Sequence, residues 1–167
     1  MKVIIAEKPS VAQQIAAVVG ATARKDGYIE GGGYAVTWAF GHLVGPAMPE
    51  AYGIEGFKRE NLPILPETFV LEPRRVKSGK EYKPDPGAVK QLAVLKELFS
   101  RTERIVVATD AGREGELIFR FIYHYLDCKT PFDRLWISSL TERAIREGLA
   151  NIRPGSEYDD LYLSARA

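Results

Sequence analysis

The sequence predicts an α/β fold in which a parallel sheet is flanked by helices on both faces. Three observations carry that prediction. Two short apolar runs rich in β-branched residues, Val3-Ile4-Ile5-Ala6 and Ile105-Val106-Val107-Ala108, read as strands buried on both faces. Each gives way within a few residues to apolar spacing of helical period. The whole chain then alternates as β-α-β, an irregular segment, and α-β-α-β-α, and strands that alternate with helices pack as a parallel sheet.

The first strand is Val3-Ile4-Ile5-Ala6, and Glu7-Lys8-Pro9-Ser10 stops it. Pro9 and Ser10 suit a helix start, where the amide that proline lacks would have no partner anyway. Val11, Ile15, Val18 and Val19 recur at helical spacing, and Gly20 ends that helix. Gly31-Gly32-Gly33 marks a turn before a second strand, Tyr34-Ala35-Val36-Thr37-Trp38-Ala39-Phe40. Residues 41–87 are rich in proline and glycine and lack a strong period, so an irregular insertion of loops and short strands is expected between the core elements. Val89, Leu92, Ala93, Lys96 and Phe99 outline a helix with a mostly apolar inner face. A strand over 105–109 and a helix from about 114 to 127 follow. Leu135-Trp136-Ile137-Ser138 reads as another short strand. Thr141 is placed to cap a last helix that carries Ile145, Leu149 and Ile152. There are no internal repeats and no low-complexity tract.

At 167 residues the chain is long enough for one compact domain with its own core. It is 46% hydrophobic and 27% charged, the proportions of a globular protein. The net charge of +1 gives no global sign of a polyanionic partner, so any such contact must come from local clustering. The one cysteine, Cys128, cannot form an internal disulfide; it suits a reducing compartment and reads as a structural residue. No apolar run approaches the ~18 residues of a membrane span, and Met1-Lys2-Val3-Ile4-Ile5 is too short an apolar start for a signal peptide.

The chemistry concentrates in Thr109-Asp110-Ala111-Gly112-Arg113-Glu114-Gly115-Glu116. Three carboxylates crowd the carboxyl end of a strand and the first helical turn, where open α/β sheets bind ligands. Two carboxylates ~4 Å apart repel by ~4 kcal/mol at an effective dielectric of ~20. A cation, an arginine or a proton must offset that. The stretch is therefore either a site for a hard, oxygen-loving ion such as Mg²⁺ or a helix start whose acids the macrodipole favours. Glu7 follows the first strand as Asp110 follows the later one. Were the two strands parallel neighbours, Glu7 would share that site, with Lys8 and Arg113 adding positive charge. Acids for a metal, a carboxyl free to move a proton, and cations for phosphate oxygens suit phosphoryl transfer.

Four motifs now stand together: Ala6-Glu7-Lys8-Pro9-Ser10, Phe40-Gly41-His42-Leu43, Ala108-Thr109-Asp110-Ala111-Gly112-Arg113-Glu114-Gly115-Glu116 and Trp136-Ile137-Ser138-Ser139-Leu140-Thr141. In this order they resemble the Toprim domain of type IA DNA topoisomerases, the bacterial topoisomerase III branch in particular. The resemblance runs over essentially the whole chain. It implies a Rossmann-like sheet, with residues 1–167 forming the N-terminal Toprim fragment of a longer, Mg²⁺-dependent enzyme. Such an enzyme cleaves and reseals single-stranded or negatively supercoiled DNA through a 5′-phosphotyrosyl intermediate. By the same resemblance Glu7 is the proton donor to the leaving 3′-oxygen, Lys8 stabilises transition-state charge, and Asp110 and Glu114, with Glu7, hold Mg²⁺. The family's acidic motif reads Asp-x-Asp-x-Glu, and Gly112 stands where the second Asp belongs. Either fewer protein ligands hold the metal, or Glu116 or Glu7 compensates.

The family places its tyrosine in a later domain, so none of the eight tyrosines here is expected to be the nucleophile, and the fragment alone is expected to be inactive. Tyr123 and Tyr125 read as packing residues. Arg113 would meet DNA phosphate. His42 either approaches a phosphate or makes a structural hydrogen bond. Arg74, Arg75, Lys77, Lys80 and Lys83, with Tyr82 among them, either track a DNA backbone or form a solvated loop. The partners implied are DNA and the remaining domains of the parent enzyme, with no membrane, in the cytoplasm and at the bacterial nucleoid. Two rival readings remain. One is a self-contained Toprim-type metal-dependent nuclease or RNA-processing enzyme. The other is a nucleotide-binding module, against which Glu7-Lys8-Pro9 counts, since it occupies the place of a glycine-rich phosphate loop.

Overall fold

The computed structural model describes residues 2–40, 42–46, 71–78, 81–110, 112–136 and 139–155. In chain order the elements are β1 (Lys2–Ala6), α1 (Pro9–Val19), β2 (Ala23–Lys25), β3 (Tyr28–Gly31), β4 (Tyr34–Trp38), β5 (Val44–Pro46), β6 (Leu71–Pro73), β7 (Arg75–Ser78), β8 (Glu81–Pro84), α2 (Pro86–Arg101), β9 (Ile105–Ala108), α3 (Arg113–Tyr125), β10 (Phe132–Arg134), α4 (Glu142–Ala150) and β11 (Arg153–Pro154).

One sheet of seven strands, in the order β11-β10-β9-β1-β4-β3-β2, organises the chain. Its middle is parallel: β1 lies between β4 and β9, and β10 extends it beyond β9. Alternate residues of these strands feed two separate cores. Val3, Ile5, Ala35, Ile105 and Val107 pack under α2 and α3, where Leu92, Leu95, Leu98, Phe99, Phe119 and Ile122 are buried. Ile4, Ala6, Val36, Val106 and Ala108 pack on the other face against Ala12, Ile15 and Ala16 of α1 and Ile145 of α4. Burial on both faces explains why β1 and β9 read as unbroken apolar runs.

The sheet is mixed rather than purely parallel. At one edge β3 runs antiparallel to β4 and β2 antiparallel to β3, and at the other β11 runs antiparallel to β10. The sequence reading passes over β2 and β3 because their strands are short and polar; only Ile29 among them is buried. The signal was in the turn. Asp26-Gly27 joins the two strands, Gly27 takes φ +90°, and an Asp-Gly pair between strand-like runs is a strong hairpin marker.

Three local readings also shift. The buried stripe of α2 is Ala88, Gln91, Leu92, Leu95, Leu98 and Phe99, not the stripe through Val89, Ala93 and Lys96, which are exposed. Gln91 draws the helix to that orientation: its amide donates to the Gly27 and Trp38 carbonyls (3.1 and 2.8 Å) and to Thr37 Oγ1 (3.1 Å). The strand expected at 135–138 pairs instead as Phe132–Arg134, followed by buried Leu135; residues 137–138 lie outside the described residues. Of the two tyrosines read as packing residues, Tyr123 packs against Phe119 and Phe132 and donates to the Thr130 carbonyl (3.0 Å), whereas Tyr125 stands exposed. Within the region read as an irregular insertion, β5 pairs with β6 and β7 with β8 as two small antiparallel ribbons; residues 47–70 are not among those described. None of the described helices is long and apolar enough to cross a membrane.

Candidate active site at the carboxyl edge of the sheet

The register of β1 and β9 sets Ala6 opposite Ala108, so the residues that follow, Glu7 on one strand and Thr109-Asp110 on the other, leave the sheet side by side. Glu7 is 8% exposed, and its Oε1 accepts the Asp110 backbone N–H at 3.3 Å. Asp110 is exposed on the solvent side of it. Burial raises the Glu7 pKa above the ordinary carboxyl value of 4.5, and the hydrogen bond with the Asp110 carboxyl and its charge raise it further; the Asp110 N–H and the Lys8 charge oppose this. The folded protein thus holds the Glu7 proton more readily than the unfolded chain does. Its contribution is fully present below pH 4.5 and is lost as pH rises through the raised folded-state value. Glu7→Gln, neutral at every pH, is therefore expected to melt above the wild type at neutral pH without metal, and to lose that advantage well below 4.5. Melting curves across pH check this; a wild type that melts higher at neutral pH would contradict it.

The turn after Asp110 is built for close approach. Gly112 caps α3 at φ +144°, a conformation that favours glycine. Gly115, in the first turn of α3, lies so close to the chain below that a Cβ there would overlap the Asp110 carbonyl oxygen. The Thr109 hydroxyl donates to the Gly115 carbonyl at 2.8 Å and ties strand end to helix start. Gly115→Ala must push α3 off Asp110. A destabilisation of at least ~1–3 kcal/mol is expected, as for overpacking elsewhere, together with weaker divalent-metal binding. Urea denaturation and a metal titration check the two effects.

Other residues singled out in the sequence surround this edge. Glu114, exposed on α3, pairs with His42 Nε2, which spans from the loop after β4 to the acidic helix start and joins the two motifs. Lys8 caps α1 beside Glu7 with its side chain exposed, and Arg113 is the exposed first residue of α3. Arg74 is largely engaged within the protein: it binds Asp85 (2.7 Å) and the Phe40 carbonyl (2.9 Å) and lies over the Phe40 ring, and it holds the Asp85 carboxyl below its ordinary range. Arg75 pairs with Glu72 (3.1 Å) on the surface, Lys83 is exposed, and the Lys77 and Lys80 side chains lie outside what is described.

Sequence reasoning missed a buried ion network directly behind Asp110. Glu116 is 1% exposed and turned into the protein, where it binds Arg120 (2.7 Å) and Arg134 (3.4 Å). It is unavailable to compensate for Gly112 at a metal. The i, i+4 spacing of Glu116 and Arg120 was the visible signal; the arrival of Arg134 from β10 was not visible in one dimension.

For a divalent ion the fit is partial. Among the described residues no group of three or more His, Cys, Asp or Glu is arranged to hold one. Glu7 and Asp110 nonetheless offer oxygen donors at one point, with a raised Glu7 pKa that a cation would relieve. Two carboxylates suit Mg²⁺, which keeps several waters and uses few protein ligands.

Comparison with known proteins gives this geometry a context. The Toprim domain pattern matches residues 2–140. DNA topoisomerase 3 of Bacillus cereus (strain ATCC 14579) is 47% identical over 168 residues, covering 99% of this chain and 22% of that protein. The DNA topoisomerase 3 of Bacillus subtilis (strain 168) is 46% identical over 167 residues, and that of Shouchella clausii 44% over 170. The chain spans 22% of the length of each of these relatives. Among solved structures, full-length topoisomerase I from Thermotoga maritima matches with a TM-score of 0.54 and 26% identity, over 91% of this chain and 21% of that one.

Proposed function

The chain belongs to the Toprim domain family, and from that premise we propose that it is the metal-binding half of the cleavage site of a type IA DNA topoisomerase. The observation that carries this reading is the Glu7–Asp110 pair at neighbouring parallel strand ends, with Glu7 buried and its pKa raised. A carboxyl that burial and a neighbouring acid make hold its proton more tightly than usual is suited to general acid work. In the reaction a tyrosine oxygen from another domain, its proton released to solvent, bonds to phosphorus, the P–O3′ bond breaks, and Glu7 gives its proton to the departing 3′-oxygen. On resealing, Glu7 takes that proton back. Lys8 stabilises the charge that builds on the phosphoryl oxygens. Asp110, with Glu114 from the same acidic run and with Glu7 once it has given up its proton, would hold Mg²⁺, and the bound ion would supply a local positive charge that favours phosphate in this acidic surround. Arg113, His42, Arg74, Arg75 and Lys77 contribute to DNA contact; Arg74 does so through the ribbon it anchors. The parent enzyme acts on single-stranded or negatively supercoiled DNA in the bacterial cytoplasm, at the nucleoid.

Incubation of the full-length protein with Mg²⁺ and negatively supercoiled plasmid tests this. A ladder of relaxed topoisomers is expected, and none from the 167-residue chain by itself. Nicked or linear plasmid without topoisomers would favour a metal-dependent nuclease instead.

A further inference from the structure

We propose that Arg134 is a positioning residue for the Glu7–Asp110 site: its buried guanidinium, with Glu116 as counter-ion, fixes the backbone that aims the Asp110 carboxylate. Arg134 is 1% exposed. Its Nη1 donates to the Val107 carbonyl (3.1 Å) and to Thr109 Oγ1 (2.8 Å), and its Nη2 donates to the Asp110 carbonyl (2.8 Å). Every one of these partners lies on the four residues that end β9 and enter the acidic turn. The Asp110 N–H on the other side is taken by Glu7. Both peptide groups of Asp110 are therefore held, one by the neighbouring strand end and one by Arg134. The Thr109 hydroxyl accepts from Arg134 and donates to the Gly115 carbonyl, which extends the clamp to the start of α3.

A buried charge is costly, and an apolar side chain of similar volume often stabilises a fold as well or better. Here the charge is spent on three acceptors at the strand end, of which the Val107 carbonyl also takes the Leu135 N–H (2.9 Å) while the Thr109 hydroxyl and the Asp110 carbonyl face the guanidinium. Glu116 offsets the charge, and Arg120 completes the network by binding Glu116 and the Gly155 carbonyl (2.9 Å). Groups that orient a metal's ligands from behind typically change metal affinity or activity ~10–100-fold when altered. Lysine keeps the charge but, as a compact ammonium, cannot reproduce the planar fork that reaches three acceptors at once.

The inference rests on the proposed metal-dependent reading, and its test separates the two. In the full-length protein, Arg134→Lys and the near-isosteric Thr109→Val are compared with wild type. Mn²⁺ binding without DNA is followed by the loss of the free-ion paramagnetic resonance signal, and single-strand cleavage is measured against Mg²⁺ concentration. For Arg134→Lys, Mn²⁺ affinity is expected to fall, and the Mg²⁺ concentration for half-maximal cleavage to rise, by ~10-fold or more. Metal-free DNA binding should be unchanged, and excess Mg²⁺ should restore much of the cleavage. Thr109→Val, which removes the two bonds of the hydroxyl but leaves Arg134 on the Val107 and Asp110 carbonyls, should shift both quantities in the same direction by less, and it serves alone where Arg134→Lys does not fold. Unchanged Mn²⁺ affinity in folded variants, or cleavage that excess Mg²⁺ cannot restore, would overturn the positioning role and leave the proposed function standing. A wild-type protein that binds no Mn²⁺ and cleaves nothing would overturn both.

Discussion

Replacing Glu7 by Gln in the full-length protein is expected to slow single-strand cleavage and resealing by ~10²–10⁴-fold, the usual contribution of one positioned proton-transfer group. Glutamine keeps the size of the side chain and an oxygen for the Asp110 N–H, so the strand ends should stay in place. It cannot supply a proton to the 3′-oxygen at any pH. DNA affinity should change little, because a group that only moves a proton adds little to ground-state binding. Single-turnover cleavage of an end-labelled single strand measures the effect. A Glu7→Gln enzyme that cleaves at the wild-type rate would remove Glu7 from the proposed mechanism. The same substitution is expected to stabilise the metal-free protein at neutral pH, since burial and Asp110 work against the ionised carboxyl. Lower activity together with higher stability would mark Glu7 as a residue kept for chemistry at a structural cost.

A second large effect is expected at Glu116, for the opposite reason. Glu116→Gln leaves Arg120 and Arg134, both buried, without the carboxylate that offsets their charges. Removing one partner of a buried ion pair typically costs ~3–5 kcal/mol. Urea denaturation of the metal-free chain should show a loss of that order. A loss under ~1 kcal/mol, the range of exposed pairs, would mean that Glu116 is not the counter-ion described and would return it to the list of metal ligands. Its place in the run from Asp110 to Glu116 invites the latter reading, and only its burial distinguishes it from Asp110 and Glu114.

These two acids show what can be read from the chain alone and what cannot. Strands buried on both faces announce themselves as β-branched runs, so β1 and β9, the turns after them and the convergence of Glu7 with Asp110 were legible. That convergence needed one further assumption, that the strands are parallel neighbours, and the sheet supplies it. The polar edge strands β2 and β3 were not legible from hydrophobic pattern, because edge strands bury little, although Asp26-Gly27 pointed to them. The orientation of α2 was ambiguous between two overlapping apolar stripes until Gln91 found its acceptors. The direction in which Glu116 points depends on an arginine from β10, eighteen positions away in sequence and brought close only by the fold. Gly112 departs from the family's acidic motif, and its φ of +144° suits the glycine that stands there.

On the proposed function, the carboxyl edge of this sheet serves covalent strand cleavage rather than hydrolysis. The most direct measurement uses full-length protein, Mg²⁺ and a single-stranded DNA labelled at its 3′ end, with the reaction stopped by denaturant and resolved on a denaturing gel. Label is expected to travel with the protein, because the piece downstream of the break carries the new 5′-phosphate bonded to tyrosine. The adduct should be lost in Glu7→Gln. Shortened, protein-free labelled DNA with no adduct would mean that this edge hydrolyses the strand instead.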